Sequence, residues 1–181
     1  DVRLVGSEMC IRDRYYGDVV KTIAVIGWKN SGKTTLVSNL VKFFDSQDIN
    51  VGVIKHAHHS FDIDHPNTDS YKIRKSCAYK TTIISENRLA HIEEKKNNEI
   101  NFNELINLNS GCDILIFEGF KKIDSLKKIE VRLKQNNKQA LYNTIKNVKL
   151  LITDDNESHP IKTLNHNQID LIASEILNEK L

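Results

Sequence analysis

The stretch IAVIGWKNSGKTTL, residues 23–36, restricts the folds open to this chain more than any other. A β-branched apolar run ends at Gly27 and passes through Trp28-Lys29-Asn30-Ser31. After Gly32-Lys33-Thr34, apolar residues return at helical spacing as Leu36, Val37, Leu40, Val41 and Phe44. Gly27-x-x-x-x-Gly32-Lys33-Thr34 is the P-loop pattern in its setting of strand, turn and helix. Backbone N–H groups of residues 28–34 can wrap a phosphate only in a tight turn, which the glycines permit. The helix opening near Lys33 turns its positive end toward the anion. The phosphate-binding candidates are therefore Gly27, Asn30, Ser31, Gly32, Lys33, Thr34 and Thr35. Lys33 is expected to reach the terminal phosphates and the Thr34 hydroxyl to bind Mg²⁺. The alternative is a glycine turn that merely caps a helix. Lys29 reads as an extra phosphate contact or a solvated lysine, and Trp28 as a shield for the nucleotide or a packing residue.

Around this turn the chain alternates strand and helix. Strands are expected at 22–26, 51–56, 113–119 and 148–153, with a helix of spacing Ile169, Ile172, Ala173, Ile176 and Leu177 at the end. Residues 80–85 and 88–94 read as a hairpin turning at Glu86-Asn87, and KIEVRL, 128–133, as a strand with Glu130 and Arg132 alternating against apolar residues. Helices are expected at about 69–78 and at 101–109; 134–147 carries no assignable pattern. This order predicts an α/β fold with a mainly parallel sheet and helices on both faces. Ligands of such sheets bind beyond the carboxyl ends of the strands, where each motif here falls.

At 181 residues the chain is long enough to bury one core, and residues 20–181 are read as a single nucleotide-binding domain. Residues 1–19 lack a period; GSEMCIRDR looks like translated sequencing adapter, so the native start is expected near Val19 or Val20, with a disordered arm as the alternative. A net charge of +2 is too small to point to nucleic acid or a membrane surface. No apolar run approaches the ~20 residues of a membrane helix. Three scattered cysteines without a C-x-x-C pair read as reduced thiols of a cytoplasmic protein.

A P-loop needs a carboxylate on a neighbouring strand to order Mg²⁺. Glu118 closes the apolar strand ILIFE and Gly119 lets the backbone turn away, so Glu118 is the candidate. Asp113 opens that strand at the wrong end and is expected to be structural. In HAHHSFDIDHPNTDS, Asp64 or Asp69 is placed to reach Mg²⁺ or orient water, as switch segments do; Asp69 reads equally as a helix N-cap. Lys55, His56, His58, His59 and His65 are dense enough to suggest metal, without a settled ligand spacing. Arg74 and Lys75 extend an anionic pocket or face solvent. Asp154 and Asp155, at the end of LLIT, can accept the paired donors of a guanine edge, which favours GTP over ATP; the usual guanine motif of Lys and a spaced Asp is absent.

GWKNSGKTTL, VGVIKHAHHSFDIDHP-x-x-DSY-x-x-R, DILIFEGFK and KIEV, in this order over residues ~20 to ~155, resemble the molybdopterin-guanine dinucleotide biosynthesis adaptor family, MobB. The resemblance implies a P-loop GTPase-like fold, usually dimeric, that binds GTP with Mg²⁺ and hydrolyses it weakly. It implies partnership with the guanylyltransferase that joins GMP to molybdopterin and with molybdoenzymes. Carried over, Gly32, Lys33, Thr34 and Thr35 hold phosphates, Glu118 stands at the Walker B place, and Asp64 and Asp69 lie in the histidine loop. The catalytic set would be Lys33, Glu118 and Asp64, and the metal set Thr34, Glu118, Asp64 and Asp69. Asn67 and Cys77 stand where the pattern has glycine, and the arginine expected two places after Val131 comes one place early as Arg132. A small-molecule kinase or ATP-dependent ligase, and a metal-delivery GTPase using the histidines, are the alternative functions.

Overall fold

The computed structural model describes residues 20–57, 61–94, 101–136 and 138–178. Along the chain run β1 (Lys21–Ile26), α1 (Lys33–Asp45) and β2 (Val51–Lys55), then α2 (Asp69–Lys75), β3 (Lys80–Ser85) and β4 (Arg88–Glu93). They are followed by α3 (Phe102–Leu108), β5 (Ile114–Glu118), β6 (Lys128–Val131), β7 (Val148–Ile152), β8 (Lys162–Leu164) and α4 (Ile169–Leu177). A 3₁₀ turn at Leu141–Asn143 lies between β6 and β7. The chain forms two compact units, one from the chain up to His56 together with Ile106 onward, the other from Ala57–Leu105.

The first unit is built on a parallel sheet in the order β2-β5-β1-β6-β7-β8. Every strand therefore ends on the same edge, and β1, which feeds the glycine turn, is central. Leu36, Leu40 and Phe44 of α1 and Ile172 and Ile176 of α4 pack on the face carrying Val25, Ile116 and Ile129. Each such side chain, fully buried, contributes about 1.5–3 kcal/mol of transfer free energy. The opposite face carries Phe117, whose ring meets Phe120 edge-on at 5.1 Å. Glu130 serves the 3₁₀ turn: its two oxygens accept the Leu141 and Tyr142 N–H groups at 2.8 and 2.9 Å.

Both polar residues of β6 are fully buried. Lys128 donates to the carbonyls of Ile123, Leu126 and Lys146 at 2.7, 2.9 and 3.0 Å, which ties down the connections on either side of the strand. Asp113 accepts the Asn50 N–H at 2.8 Å below β5, a structural contact. The strand expected to be the last clear one, β7, is followed by the short β8, held to α4 through Lys162 and Glu175 at 2.7 Å.

In the second unit β3 and β4 form the expected antiparallel hairpin, pairing Lys80 with Glu93 through to Ser85 with Arg88. Helix α2 is capped by Thr68, which accepts the Tyr71 N–H at 3.3 Å. The N-cap is thus one residue before Asp69, because Thr68 holds the extended backbone that a cap requires. Asn67 and Cys77, which replace glycine in the resemblance, have φ of 74° and 70°. Both occupy the left-handed region where glycine is favoured, and Cys77 does so immediately after α2. Among the described residues no helix is long and apolar enough to cross a membrane.

Candidate functional site

The parallel register sets the site. Glu118 lies level with Val25 of β1 on one side and Lys55 of β2 on the other. Its Oε1 accepts the Thr34 hydroxyl at 3.0 Å and pairs with the Lys55 ammonium at 3.2 Å. Gly119 has φ of 111°, so the chain turns away at once, and a Cβ there would press on His56 at 3.3 Å. The structure therefore brings Thr34 and Glu118 together, an alcohol and a carboxylate suited to a hard cation such as Mg²⁺.

The turn itself has no room for a side chain at Gly27, where a Cβ would stand 2.4 Å from both the Val131 carbonyl oxygen and Ser31 Oγ. Gly32, with φ of 89°, is the N-cap of α1; it offers no side-chain cap, and the first helical turn holds no acid. The leading amides of a 13-residue helix are thus left for an external anion. Ser31 Oγ is buried and without a hydrogen-bond partner, a donor aimed within the turn. Lys33 Nζ donates to the Trp28 carbonyl at 2.6 Å. Burial lowers the Lys33 ammonium below its ordinary pKa; Glu118 opposes that shift, and Lys121 and Lys55 add to it. Lys33 thus feels two other lysines and one carboxylate, which leaves this strand edge short of negative charge.

Trp28 is anchored by its indole N–H, which donates to the Gln139 carbonyl at 2.8 Å. Lys121 stands 4.5 Å and Lys138 5.7 Å from its ring centroid. The Asn136 amide donates to the Lys29 carbonyl at 3.4 Å. On the side of β8, the His166 ring lies 3.7 Å from where a Gly32 Cβ would be, and its Nε2 meets the Arg132 carbonyl at 3.3 Å. The sequence gives no signal for His166 and, for Lys121, only its position just beyond Glu118, while Glu130 reads there as no more than a polar residue of a strand.

Asp154 and Asp155 follow β7 as expected and have protein partners. Asp154 accepts the Lys134 N–H at 2.5 Å. Asp155 accepts from the Thr153 hydroxyl at 2.9 Å and meets His159 Nε2 at 2.8 Å, while His159 Nδ1 meets the Tyr142 hydroxyl at 3.2 Å. Burial alone would raise the Asp155 carboxyl, but the bonds from His159, Thr153 and the Glu157 N–H together hold it below its ordinary value. Asp155, Glu157 and His159 also bring three potential metal-ligand atoms within 4.8 Å of one another.

In the second unit the Asp64 carboxylate accepts the Ser70 and Thr68 hydroxyls at 2.9 and 3.2 Å and lies 3.7 Å from Arg74 Nε. Arg74 forks onto Asp62 at 2.6 and 2.7 Å and reaches Glu94 at 2.9 Å. Arg74 is thus a buried hub, neither a pocket rim nor a solvated residue. Asp69 is exposed, 3.4 Å from Lys72. Lys75 lies 5.4 Å from the Tyr71 ring. His56 packs its ring on Phe120 at 5.5 Å, and His65 lends its carbonyl to the Thr68 hydroxyl. His58 and His59 lie outside the described residues.

Residues 22–154 match the family described as molybdopterin guanine dinucleotide synthesis protein B. The chain belongs to this family. A molybdopterin-guanine dinucleotide biosynthesis adapter protein of Escherichia coli is 35% identical over 106 residues, 57% of this chain and 61% of its own length. A putative adapter protein of the same description from Methanocaldococcus jannaschii is 30% identical over 112 residues, 62% of this chain and 45% of its own. The chain thus spans about half to three fifths of the length of these curated relatives. A crystal structure of molybdopterin-guanine biosynthesis protein B superposes with a TM-score of 0.69 at 25% identity, over 87% of this chain and 99% of that one. A MobB homolog from Bacillus stearothermophilus superposes at 0.66 and 18% identity, over 88% and 97%. These likenesses agree with the α/β P-loop NTPase architecture expected from the sequence.

Proposed function

We propose that this MobB-family chain is a GTP-binding adaptor in molybdopterin guanine dinucleotide biosynthesis. It holds GTP with Mg²⁺, hydrolyses it slowly, and works as a homodimer with the guanylyltransferase and with molybdoenzymes awaiting cofactor. It does so in the cytoplasm, where an exposed thiol such as Cys77 stays reduced. The observation that carries this reading is the 3.0 Å contact of Thr34 and Glu118 beside an uncapped helix N-terminus.

The residues fit the group they would hold. The Gly27 cradle excludes a side chain, Ser31 Oγ is an orphaned donor, and Lys55 and Lys121 add positive charge to that of Lys33. Thr34 and Glu118 would hold Mg²⁺, and bound Mg²⁺ would neutralise charge on the phosphates. Asp154 and Asp155 remain the proposed base-side residues, and would have to exchange their present protein partners for the guanine edge. Slow hydrolysis follows from chemistry: among the described residues neither Thr34 nor Glu118 bonds a glutamine or arginine that could align water or offset transition-state charge, each a large contributor in fast GTPases.

The dimer finds support in the second unit. Ile84 and Leu89 face each other across the hairpin and are 76% and 63% exposed. A two-stranded hairpin is marginal alone, and paired exposed aliphatics mark a surface for association. The reading is tested by hydrolysis and capture together. The purified chain should turn over GTP far below about one per second, a rate well under assisted GTPases, and should retain a guanylyltransferase from a molybdenum-cofactor-producing lysate when loaded with GTP. Rapid phosphoryl transfer to a small acceptor would replace it with the kinase reading.

A further inference from the structure

Immediately after Glu118 the backbone makes two successive left-handed steps, Gly119 at φ 111° and Phe120 at φ 24°. Phenylalanine tolerates such a step poorly, at a cost that the surroundings must overcome. Here they do: the Phe120 ring is buried between Phe117 at 5.1 Å and His56 at 5.5 Å. The consequence of this sharp turn is that Lys121 is brought over the Trp28 ring, 4.5 Å from its centroid. Trp28 belongs to the glycine turn, is fixed by Gln139, and takes Lys33 on its carbonyl. Three ammonium groups, those of Lys33, Lys121 and the more distant Lys138, thus converge on one residue of the phosphate cradle.

Neither nearby carboxylate answers Lys121. Glu118 is engaged with Thr34 and Lys55, and both oxygens of Glu130 accept backbone N–H groups. Among the described residues no carboxylate lies within ion-pair range of Lys121. Burial lowers the Lys121 ammonium below its ordinary pKa, with Glu130 only partly opposing, the mark of a cation without a partner. An anion at the cradle would supply that partner.

We propose that Lys121 is a second phosphate-binding cation of this site, and that it reads the terminal phosphate of a nucleoside triphosphate. The inference rests on the nucleotide-binding reading above. Its role follows from position: Lys121 comes three residues after Glu118, lies over Trp28, and is close enough to Lys33, the residue expected to reach the terminal phosphates, to act on its charge. The amides of the turn and of α1 would hold the phosphates that a nucleoside triphosphate and diphosphate share, which leaves the discrimination between them to the side-chain cations.

The test is calorimetric titration of GTP and GDP, each with Mg²⁺, into the full chain and into Lys121→Met and Lys121→Arg. Methionine preserves the stem over Trp28 without the charge. Lys121→Met is expected to lose about tenfold to hundredfold in GTP affinity, the effect of one charge-assisted hydrogen bond, and less than about threefold in GDP affinity. Lys121→Arg should keep the preference for GTP. Equal losses for both nucleotides in Lys121→Met would assign Lys121 to packing on Trp28 and overturn the proposal, as would no loss at all. Should the unsubstituted chain bind neither nucleotide, the nucleotide reading itself fails; should it bind both while Lys121→Met retains its GTP preference, only the assignment of Lys121 fails.

Discussion

Glu130→Ala should damage the site from a distance. Glu130 is fully buried, and its two oxygens are the acceptors for the Leu141 and Tyr142 N–H groups that open the 3₁₀ turn. Removing the carboxylate strands both donors, at about 1–3 kcal/mol each. Part of that is returned because a buried charge no longer has to be desolvated. A net destabilisation of about 3 kcal/mol follows, or ~6–12 °C in melting temperature for a chain of this size. Glu130→Gln keeps one acceptor and should lose roughly half as much. The carbonyl of Gln139, at the entrance to that turn, holds the Trp28 indole, and Trp28 is the sole tryptophan. Urea unfolding followed by circular dichroism gives the stability change, and native-state emission should shift to the red as Trp28 loses its partner. If Glu130→Ala unfolds within about 0.5 kcal/mol of the parent, the span of an ordinary surface change, and emission is unaltered, the reasoning is refuted.

Three further outcomes are expected. Cys77→Gly relieves a left-handed φ of 70° after α2 and should raise stability by about 0.5–1 kcal/mol in urea unfolding; a loss would show that the thiol makes a contact worth more than the strain. The hydrogen bonds from Arg74 hold the Asp62 carboxyl below its ordinary value, so their contribution is complete above about pH 4 and fades as pH falls through the depressed native value. Amide-exchange protection of α2 should therefore differ between the parent and Arg74→Met at pH 7 and converge toward pH 2; a constant difference contradicts this. Ile84→Lys with Leu89→Lys should convert a dimer to a monomer in light scattering without loss of helicity, whereas an unchanged mass would remove the hairpin from the interface.

What could be read from the sequence depended on whether a feature is local. The glycine turn has a fixed spacing, and Glu118 is a lone carboxylate at the end of an apolar strand, so both were legible. The hairpin showed itself through β-branched runs on either side of Glu86-Asn87. Glu130 and Lys128 were not legible, because alternation in KIEV reads as a strand with one solvent face. In a parallel sheet both faces are covered, and these polar residues are buried on carbonyls and amides far away in sequence. The three residues of β8 hold a single leucine and offer no period. The contact of Asp64 with Arg74, ten residues on, was not legible either, because an isolated Asp-x-Asp says nothing of its partners.

A crystal structure of the chain with GTP and Mg²⁺ tests the central claim most directly. The triphosphate should lie within the turn, held by amides of residues 28–34 and Lys33, with the metal beside Thr34 and Glu118, and that density should vanish in Lys33→Ala. A turn still empty of phosphate at saturating nucleotide, or nucleotide bound elsewhere on the chain, would contradict it.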